Sequence, residues 1–267
     1  MLDEQTVSAY LARIGANRPA TPDLAGLHHL QERQVLSVPF ENLDYHLGRP
    51  IFMDERVLDK IVRAHRGGGC FEVNPALTFL LRALGYEADI LPGRVHRPGG
   101  ELGPFLGHLA LRVWVEGEAW LVDTGFGRNS RFPLRLDSRE EQTDPHGRYR
   151  LADTDTGAID VFYNDKPLYQ VTAHPVRVED FAPTLWWYRT SPDSSFLQAL
   201  FCSQRTAAGM VTLKGNVLSV MTDGRREQRE LPDDAAVLQA YKEHFGFGLD
   251  ELPAEPAGGA TAGVRTE

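Results

Sequence analysis

Cysteine is scarce in this chain of 267 residues, which contains only Cys70 and Cys202. Two thiols exclude a disulfide framework and a four-thiolate zinc site. Basic residues are in deficit as well, since 28 Lys and Arg stand against 37 Asp and Glu and give a formal net charge of −9. Nucleic-acid binders and proteins of anionic membrane surfaces need a basic footprint, so neither class of partner is expected.

Long apolar runs are also missing. No segment approaches the roughly 20 apolar residues of a membrane span, and residues 1–10 lack the basic-then-apolar order of a signal peptide. With so few cysteines, these absences predict a reduced, cytoplasmic location. Residues 253–267 are rich in Ala, Gly, Pro and Glu without apolar periodicity, and they are predicted to form a disordered tail.

What the sequence does have is a globular composition, with 42% apolar and 24% charged residues, which is enough for a full hydrophobic core. Its first quarter shows the apolar spacing of helices. Four helices are predicted there, namely residues 7–14 ending at Gly15, a second capped by Asp23, a third capped by Asp54 and ending at Gly67, and a fourth from about Cys70 to Gly85.

The middle of the sequence changes to a period of two, which indicates strands. His108–Val115 alternates, and residues 118–123 follow after the short turn Glu116-Gly117, which predicts a hairpin. Further strands are predicted at residues 158–164, 168–173, 196–202, 210–213 and 217–221, and a closing helix ends at Gly246. Helices followed by strands and one more helix predict an α+β fold rather than a regular βαβ alternation.

Three glycines precede Cys70 in the segment Arg66-Gly67-Gly68-Gly69-Cys70. Glycine allows the backbone or a ligand to approach closely. A cysteine in the first turn of a helix lies at the positive end of the helix dipole, which favours a thiolate, and its own N–H is available to an oxyanion. The segment therefore indicates an activated nucleophile, with a buried, inert cysteine as the alternative.

A nucleophilic cysteine needs a base and a carboxylate that orients the base. With Glu116-Gly117 as a two-residue turn, the side chains of His108 and Asp123 share one face of the hairpin. Diagonal neighbours of this kind are about 7–8 Å apart, within reach of a hydrogen bond between imidazole and carboxylate. The spacing thus predicts a triad of Cys70, His108 and Asp123, whereas a turn one residue longer would separate the pair.

The other histidines are weaker candidates. His96, for example, has no acidic residue at a useful spacing along the sequence. No group of His, Cys and Asp has the spacing of metal ligands, so no metal is expected. The loop Gly125-Phe126-Gly127 follows Asp123 directly, and it either holds a phosphate-bearing ligand or simply turns the chain.

Four motifs occur in a fixed order, and they are Val38-Pro39-Phe40-Glu41-Asn42-Leu43, then Arg66-Gly67-Gly68-x-Cys70-x-Glu72-x-Asn74, then Trp120-Leu121-Val122-Asp123-x-Gly125-Phe126-Gly127, and finally Thr190-Ser191-Pro192-x-Ser194 with Phe201-Cys202-Ser203 and Thr206. In order and spacing they resemble the arylamine N-acetyltransferase family, over roughly residues 5–252. The resemblance implies an N-terminal helical bundle, a central β-barrel-like domain and a C-terminal α/β lid around a papain-like Cys–His–Asp core. The expected domains are residues 1–85, 86–190 and 191–252.

The resemblance also implies a reaction. Cys70 would take an acyl group from a thioester, acetyl-CoA, and pass it to an arylamine in a ping-pong sequence. His108 would move the protons, and Asp123 would hold the imidazole in its useful tautomer.

Further residues match family positions with assigned roles. Phe40 and Phe126 match positions that line the acceptor pocket. Gly127 and Thr206 match positions near coenzyme A. Arg66 and Glu41 match a structural pair that joins the first motif to the nucleophile loop.

Departures from the family pattern leave the acyl donor and the amine open. Gly69 replaces the aromatic or bulky residue of many relatives, and Ala207-Ala208 stands where some have Pro-Asp. A related amide synthase, which closes a polyketide macrolactam from a carrier-protein thioester onto an aromatic amine, is therefore the first alternative. A papain-like cysteine hydrolase is the second, and a non-catalytic scaffold in which Cys70 is incidental is the third.

Overall fold

The structure is a computed structural model, and it describes residues 2–253. The predicted disordered tail lies, after Pro253, outside the described residues. The α-helices of the described chain are α1 (Glu4–Ile14), α2 (Leu24–Ser37), α3 (Leu43–His46), α4 (Cys70–Ala83), α5 (Ala182–Thr190), α6 (Ser195–Gln198) and α7 (Asp234–Phe245). A π-helical turn covers Asp59–Arg63, and a 3-10 turn covers Val178–Phe181.

Local signals set the ends of several helices as the sequence predicts. The Asp23 side chain accepts from the Gly26 N–H at 2.7 Å and caps α2. Gly15 and Gly246 adopt the left-handed conformation, with φ of 65° and 77°, and end α1 and α7. The fourth helix begins at Cys70, also as predicted.

For the third helix, the predicted type and the predicted C-terminal end are both wrong. Residues Asp59–Arg63 make a π-helical turn that stops before Gly67. The backbone then makes a wider turn, which is closed by a hydrogen bond from the N–H of Arg66 to the carbonyl of Lys60 at 3.0 Å. This wide turn brings both side chains inward, toward buried carboxylates described below.

The strands pair antiparallel in two sheets. They are β1 (Phe40–Glu41), β2 (Glu87–Val95), β3 (His108–Val115), β4 (Glu118–Val122), β5 (Leu134–Arg135), β6 (Gln142–Asp144), β7 (Gly147–Asp153), β8 (Ala158–Tyr163), β9 (Lys166–Thr172), β10 (Phe201–Thr206), β11 (Gly209–Lys214), β12 (Val217–Thr222) and β13 (Arg225–Glu230). A nearly closed, barrel-like sheet has the order β5-β4-β3-β2-β9-β8-β7-β6, and a five-stranded sheet has the order β1-β10-β11-β12-β13. The α+β prediction is confirmed.

The predicted strand at residues 196–202 is half wrong. Ser195–Gln198 forms the short helix α6, and β10 begins only at Phe201. The cause is a contact distant in sequence, because the Asn42 side chain donates to the carbonyls of Phe196 and Ala199 at 2.8 and 2.6 Å. The side-chain Oδ1 of Asn42 accepts the Phe201 N–H at 2.9 Å. Asn42 thus fixes the point at which the helix becomes a strand.

Three hydrophobic cores hold these layers together. One lies between α1, α2 and α4 on one side and β2 and β3 on the other. A second lies between the five-stranded sheet and α7, and a third fills the barrel-like sheet. Since α4 packs directly on β3, the helix that starts at Cys70 lies against the strand that starts at His108. The division into three domains at residues 85 and 190 stays a prediction.

Candidate active site

The loop before Cys70 depends on backbone contacts that a side chain would block. A Cβ atom on Gly67 would lie 1.8 Å from the carbonyl oxygen of Pro39. The neighbouring Gly68 donates its N–H to that carbonyl at 3.2 Å, and its own carbonyl accepts from the Glu41 N–H at 3.3 Å. The two glycines therefore fasten the loop to β1.

Cys70 is the first residue of α4 and has only 6% of its surface exposed. The preceding Gly69 has no side chain to cap the helix, and Glu72 Oε2 accepts its N–H at 3.1 Å. The N–H groups of the first helical turn have no carbonyl partner within the helix. Together with the helix dipole, they favour negative charge at the Cys70 sulfur.

The hairpin of β3 and β4 has the register that the sequence predicts. Leu111 pairs with Val122 and Val115 with Glu118, so the turn has two residues. This register places His108 and Asp123 on the same face. The His108 Nε2 and the Asp123 Oδ2 are 2.9 Å apart, and both residues are buried.

The imidazole of His108 lies between Asp123 and the Cys70 thiol. Because Nε2 contacts the carboxylate, Nδ1 is the ring nitrogen left for Cys70. Burial by itself lowers the pKa of His108, but the charge and hydrogen bond of Asp123, with a smaller contribution from Cys70, raise it to about 10. The structure thus brings together the three residues predicted to form a triad, in an arrangement that holds a proton on the imidazole.

The carboxylate of Asp123 is held by more than His108. Its Oδ1 accepts from the Asn74 Nδ2 at 2.9 Å and from the Gly125 N–H at 2.8 Å. Burial raises its pKa, but His108 and these donors outweigh burial and lower it. Asn74 also donates to the Leu109 carbonyl at 2.6 Å, and its Oδ1 accepts both the N–H and the hydroxyl of Thr124. Asn74 belongs to the motif around Cys70, but its role as a partner of Asp123 is not predicted from the sequence.

Gly125 lies directly against Cys70, the predicted nucleophile. A Cβ atom there would be 2.5 Å from the Cys70 Cα, 2.9 Å from the Cys70 Cβ and 3.1 Å from the Asn74 Nδ2. The backbone at Gly125 therefore packs against Cys70 and leaves no room for a side chain. Of the two predicted roles of this loop, turning the chain close to Cys70 is the one that the contacts support.

A cavity of about 700 Å³ opens above Cys70 and His108. Its walls are largely aromatic, with Phe40, Phe126, Trp187, Tyr188, Phe196 and Phe201. The rim is polar and includes Arg97 and Asp193. Both predicted acceptor-pocket residues, Phe40 and Phe126, line this cavity.

The two residues predicted near coenzyme A lie outside the cavity wall. Gly127 has φ of 81°, and a Cβ atom there would be 3.1 Å from the Phe40 ring. The Thr206 carbonyl is 3.2 Å from the His146 Nε2. Gly127 therefore lies one residue behind the wall, and Thr206 ends β10 farther away.

His96 has an acidic partner that spacing along the sequence does not indicate. His96 Nε2 lies 2.9 Å from Asp160 Oδ1, and Gln170 donates to the same oxygen at 3.1 Å. Asp160 is on β8, 64 residues away in sequence. The two residues meet because β9 pairs with β2 on one side and with β8 on the other. The sequence holds no local signal for this contact.

Within residues 2–253, no group of three or more His, Cys, Asp and Glu side chains is arranged to hold a metal ion. No helix in the same range is long and apolar enough to cross a membrane. The predicted cytoplasmic location stays a prediction.

Comparison with known proteins gives the family. The sequence pattern of the N-acetyltransferase family matches residues 23–253. The arylamine N-acetyltransferase of Mycolicibacterium smegmatis is 35% identical over 256 residues, which cover 92% of this chain and 93% of that protein. This chain belongs to the arylamine N-acetyltransferase family. The resemblance that the motifs indicate is therefore confirmed, and the chain is an acyltransferase.

Solved structures of the family share the fold. The arylamine N-acetyltransferase from Salmonella typhimurium superposes with a TM-score of 0.85 at 29% identity, covering 94% of both chains. The structure of the Mycobacterium marinum arylamine N-acetyltransferase in complex with CoA superposes with a TM-score of 0.84 at 30% identity, covering 90% of this chain and 92% of that one. The predicted papain-like fold, with its helical, barrel-like and α/β parts, is confirmed.

Proposed function

We propose that this family member transfers an acetyl group from acetyl-CoA to an arylamine through an acetyl-Cys70 intermediate. One observation carries the proposal, namely that Cys70 and His108 form the floor of an aromatic cavity while Asp123 binds His108 from behind. An imidazolium beside a helix N-terminus holds a cysteine as its thiolate, which is the reactive form.

In the first half-reaction, the Cys70 sulfur attacks the carbonyl carbon of the thioester. The bond from that carbon to the donor sulfur breaks, and His108 gives its proton to the leaving thiolate. The product is acetyl-Cys70, a neutral His108 and the free thiol. The N–H groups at the start of α4 face the oxygen that becomes negative in the transition state.

In the second half-reaction, the amine nitrogen attacks the acetyl-Cys70 carbonyl. Cys70 leaves as a thiolate, and His108 accepts the proton that the nitrogen loses. The imidazolium and thiolate are thereby restored. Asp123 keeps the imidazole oriented and stabilises its charged form, and Asn74 with the Gly125 N–H keeps Asp123 in place.

The cavity suits an arylamine as acceptor. Such amines are neutral at pH 7, so aromatic walls bind them without a counter-charge. Phe40 stacks on Phe201 at 5.3 Å between ring centroids, and Phe126 lies 5.3 Å from the His108 ring. We assign both phenylalanines to the acceptor pocket.

Coenzyme A as the leaving group is supported by the Mycobacterium marinum relative, whose structure contains CoA. Arg97 lines the cavity, and its guanidinium is a suitable partner for the phosphates of such a donor. Gly127 and Thr206 remain proposed contacts of the donor, on the resemblance alone.

The alternatives have less support. The relatives described above are named arylamine N-acetyltransferases, and nothing in the comparisons favours a macrolactam-forming amide synthase or a carrier protein as partner. A hydrolase would need water at the acyl-cysteine, and Cys70 is nearly buried beneath aromatic walls.

The test is a two-step reaction followed by mass spectrometry. Incubation with acetyl-CoA alone should acetylate Cys70 and release one equivalent of thiol, and later addition of 4-aminobenzoate should remove the acetyl group as the amide. The Cys70→Ser variant should do neither, and the Cys202→Ser variant should behave as the wild type. Free acetate as the main product would favour the hydrolase, and an unmodified Cys70 would contradict the proposal.

A further inference from the structure

A buried cluster of charged side chains lies directly beneath the nucleophile loop. It has three carboxylates, from Glu41, Asp44 and Glu72, and two cations, from Lys60 and Arg66. The three acids are 0%, 5% and 1% exposed, and the Lys60 side chain is 15% exposed. With every group ionised the cluster has a net charge of −1, so removing one cation raises the uncompensated buried charge to −2.

The two cations divide the carboxylates between them. Arg66 binds Glu41 and Asp44, with Nη2 at 2.7 and 3.1 Å. The Lys60 Nζ lies 2.7 Å from Glu72, 2.8 Å from Asp44 and 3.6 Å from Glu41. In the described part of the chain, Lys60 is therefore the cation that contacts Glu72.

Glu72 links this cluster to the nucleophile. While Oε1 binds Lys60, Oε2 accepts the N–H of Gly69, the residue before Cys70. A Cβ atom on Gly68 would lie 2.6 Å from the same Oε2, so the carboxylate fills the inside of the loop. Burial raises the pKa of Glu72 to about 7, and the charge of Lys60 opposes this rise. Without Lys60, the Glu72 carboxylate would have no cation on its Oε1, and its charge would be left without a partner beneath the loop that its Oε2 holds.

We propose that Lys60 is a positioning residue for the acyl transfer: it holds Glu72 on the Gly69 N–H and thereby keeps the Cys70 sulfur against His108. The proposal rests on the role of Cys70 as the nucleophile. Lys60 itself does not reach the cavity, so it acts only through Glu72 and the loop.

The experiment compares Lys60→Met with wild type by two measurements. The first is the rate of Cys70 alkylation by iodoacetamide at pH 7, followed by peptide mass spectrometry. The second is the rate of Cys70 acetylation by acetyl-CoA in a single turnover. We expect both rates to fall by about tenfold or more, since small displacements of a reacting group have effects of this size. Lys60→Arg should restore most of the loss because it keeps the charge.

A double variant separates charge from mere stability. Lys60→Met leaves the cluster at −2, whereas Lys60→Met with Glu72→Gln returns it to −1 and keeps an amide oxygen to accept the Gly69 N–H. We expect the double variant to alkylate and acetylate Cys70 faster than Lys60→Met. Two control variants are Lys214→Met, which changes an exposed lysine, and Val237→Ala, which weakens the core under α7 away from the loop.

The outcomes are distinct. Wild-type rates in a folded Lys60→Met protein would overturn the proposal, as would a double variant no faster than the single one. If Lys60→Met does not fold, the comparison of Lys60→Arg with Glu72→Gln still decides, because Lys60→Arg should then be the faster of the two. The alkylation rate is measured without any acyl donor or amine, so its result stands even where the acetylation reaction fails.

Discussion

Substituting Gly125 by alanine should disable the enzyme without unfolding it. The glycine lies outside the left-handed region, so alanine brings no backbone strain. Its Cβ, however, would be 2.5 Å from the Cys70 Cα and 2.9 Å from the Cys70 Cβ, and both are atoms that no rotamer change can move. Overpacking of this kind costs about 1–3 kcal/mol. To relieve it, Cys70 must move away from His108 by a distance of the order of 1 Å, which is worth about a 100-fold loss of rate.

The assay for Gly125→Ala is single-turnover acetylation of Cys70 by acetyl-CoA, together with the thermal midpoint of unfolding. We expect a rate about 100-fold below wild type and a midpoint only a few degrees lower, by about 4 °C. Gly246→Ala is the matched control, because it strains the backbone at φ of 77° with nothing within 4 Å of the new Cβ. It should lose stability and keep the rate. A Gly125→Ala enzyme as fast as wild type would show that the contact does not position Cys70.

Three further predictions concern the rest of the site. Asn74→Ala removes a hydrogen bond to Asp123 and should lower the free energy of urea unfolding by about 2–3 kcal/mol. The pKa of His108 is raised from 6.5 to about 10, so the stability difference between wild type and His108→Gln should be full below about pH 6.5 and vanish as the pH rises through about 10. Gly67→Ala places a Cβ against the Pro39 carbonyl and should lower the unfolding free energy by about 3 kcal/mol or prevent folding.

The hairpin shows what the sequence can predict. Its turn has two residues, and with a side-chain period of two this single number decides whether His108 and Asp123 face each other. The ends of α1 and α2 were equally predictable, since Gly15 and Asp23 act on their own neighbours. Signals of this kind act within a few residues of the chain, so they can be recognised in the sequence without knowledge of the fold.

Contacts between distant segments could not be predicted in this way. Asp160 reaches His96 because β9 pairs with both β2 and β8. Asn42 ends α6 from more than 150 residues away. The strand β13 (Arg225–Glu230), which the sequence analysis does not predict, pairs along its whole length with β12 and is exposed on all its residues. All six of its residues are polar, so it shows neither the helical nor the strand spacing of apolar residues.

Close backbone contacts, in addition to the Glu72 side chain beneath the loop, restrict the position of Cys70 relative to His108. Pro39 lies against Gly67, and Gly125 lies against Cys70, each too close to admit a side chain on the glycine. Neither contact can relax by a change of rotamer, so both fix the backbone around Cys70. The aromatic wall of the cavity meets this backbone at Gly69, since the Phe196 ring lies 3.0 Å from the position that a Cβ atom would have there. A substitution of Phe196 would therefore alter the cavity wall without altering these backbone contacts.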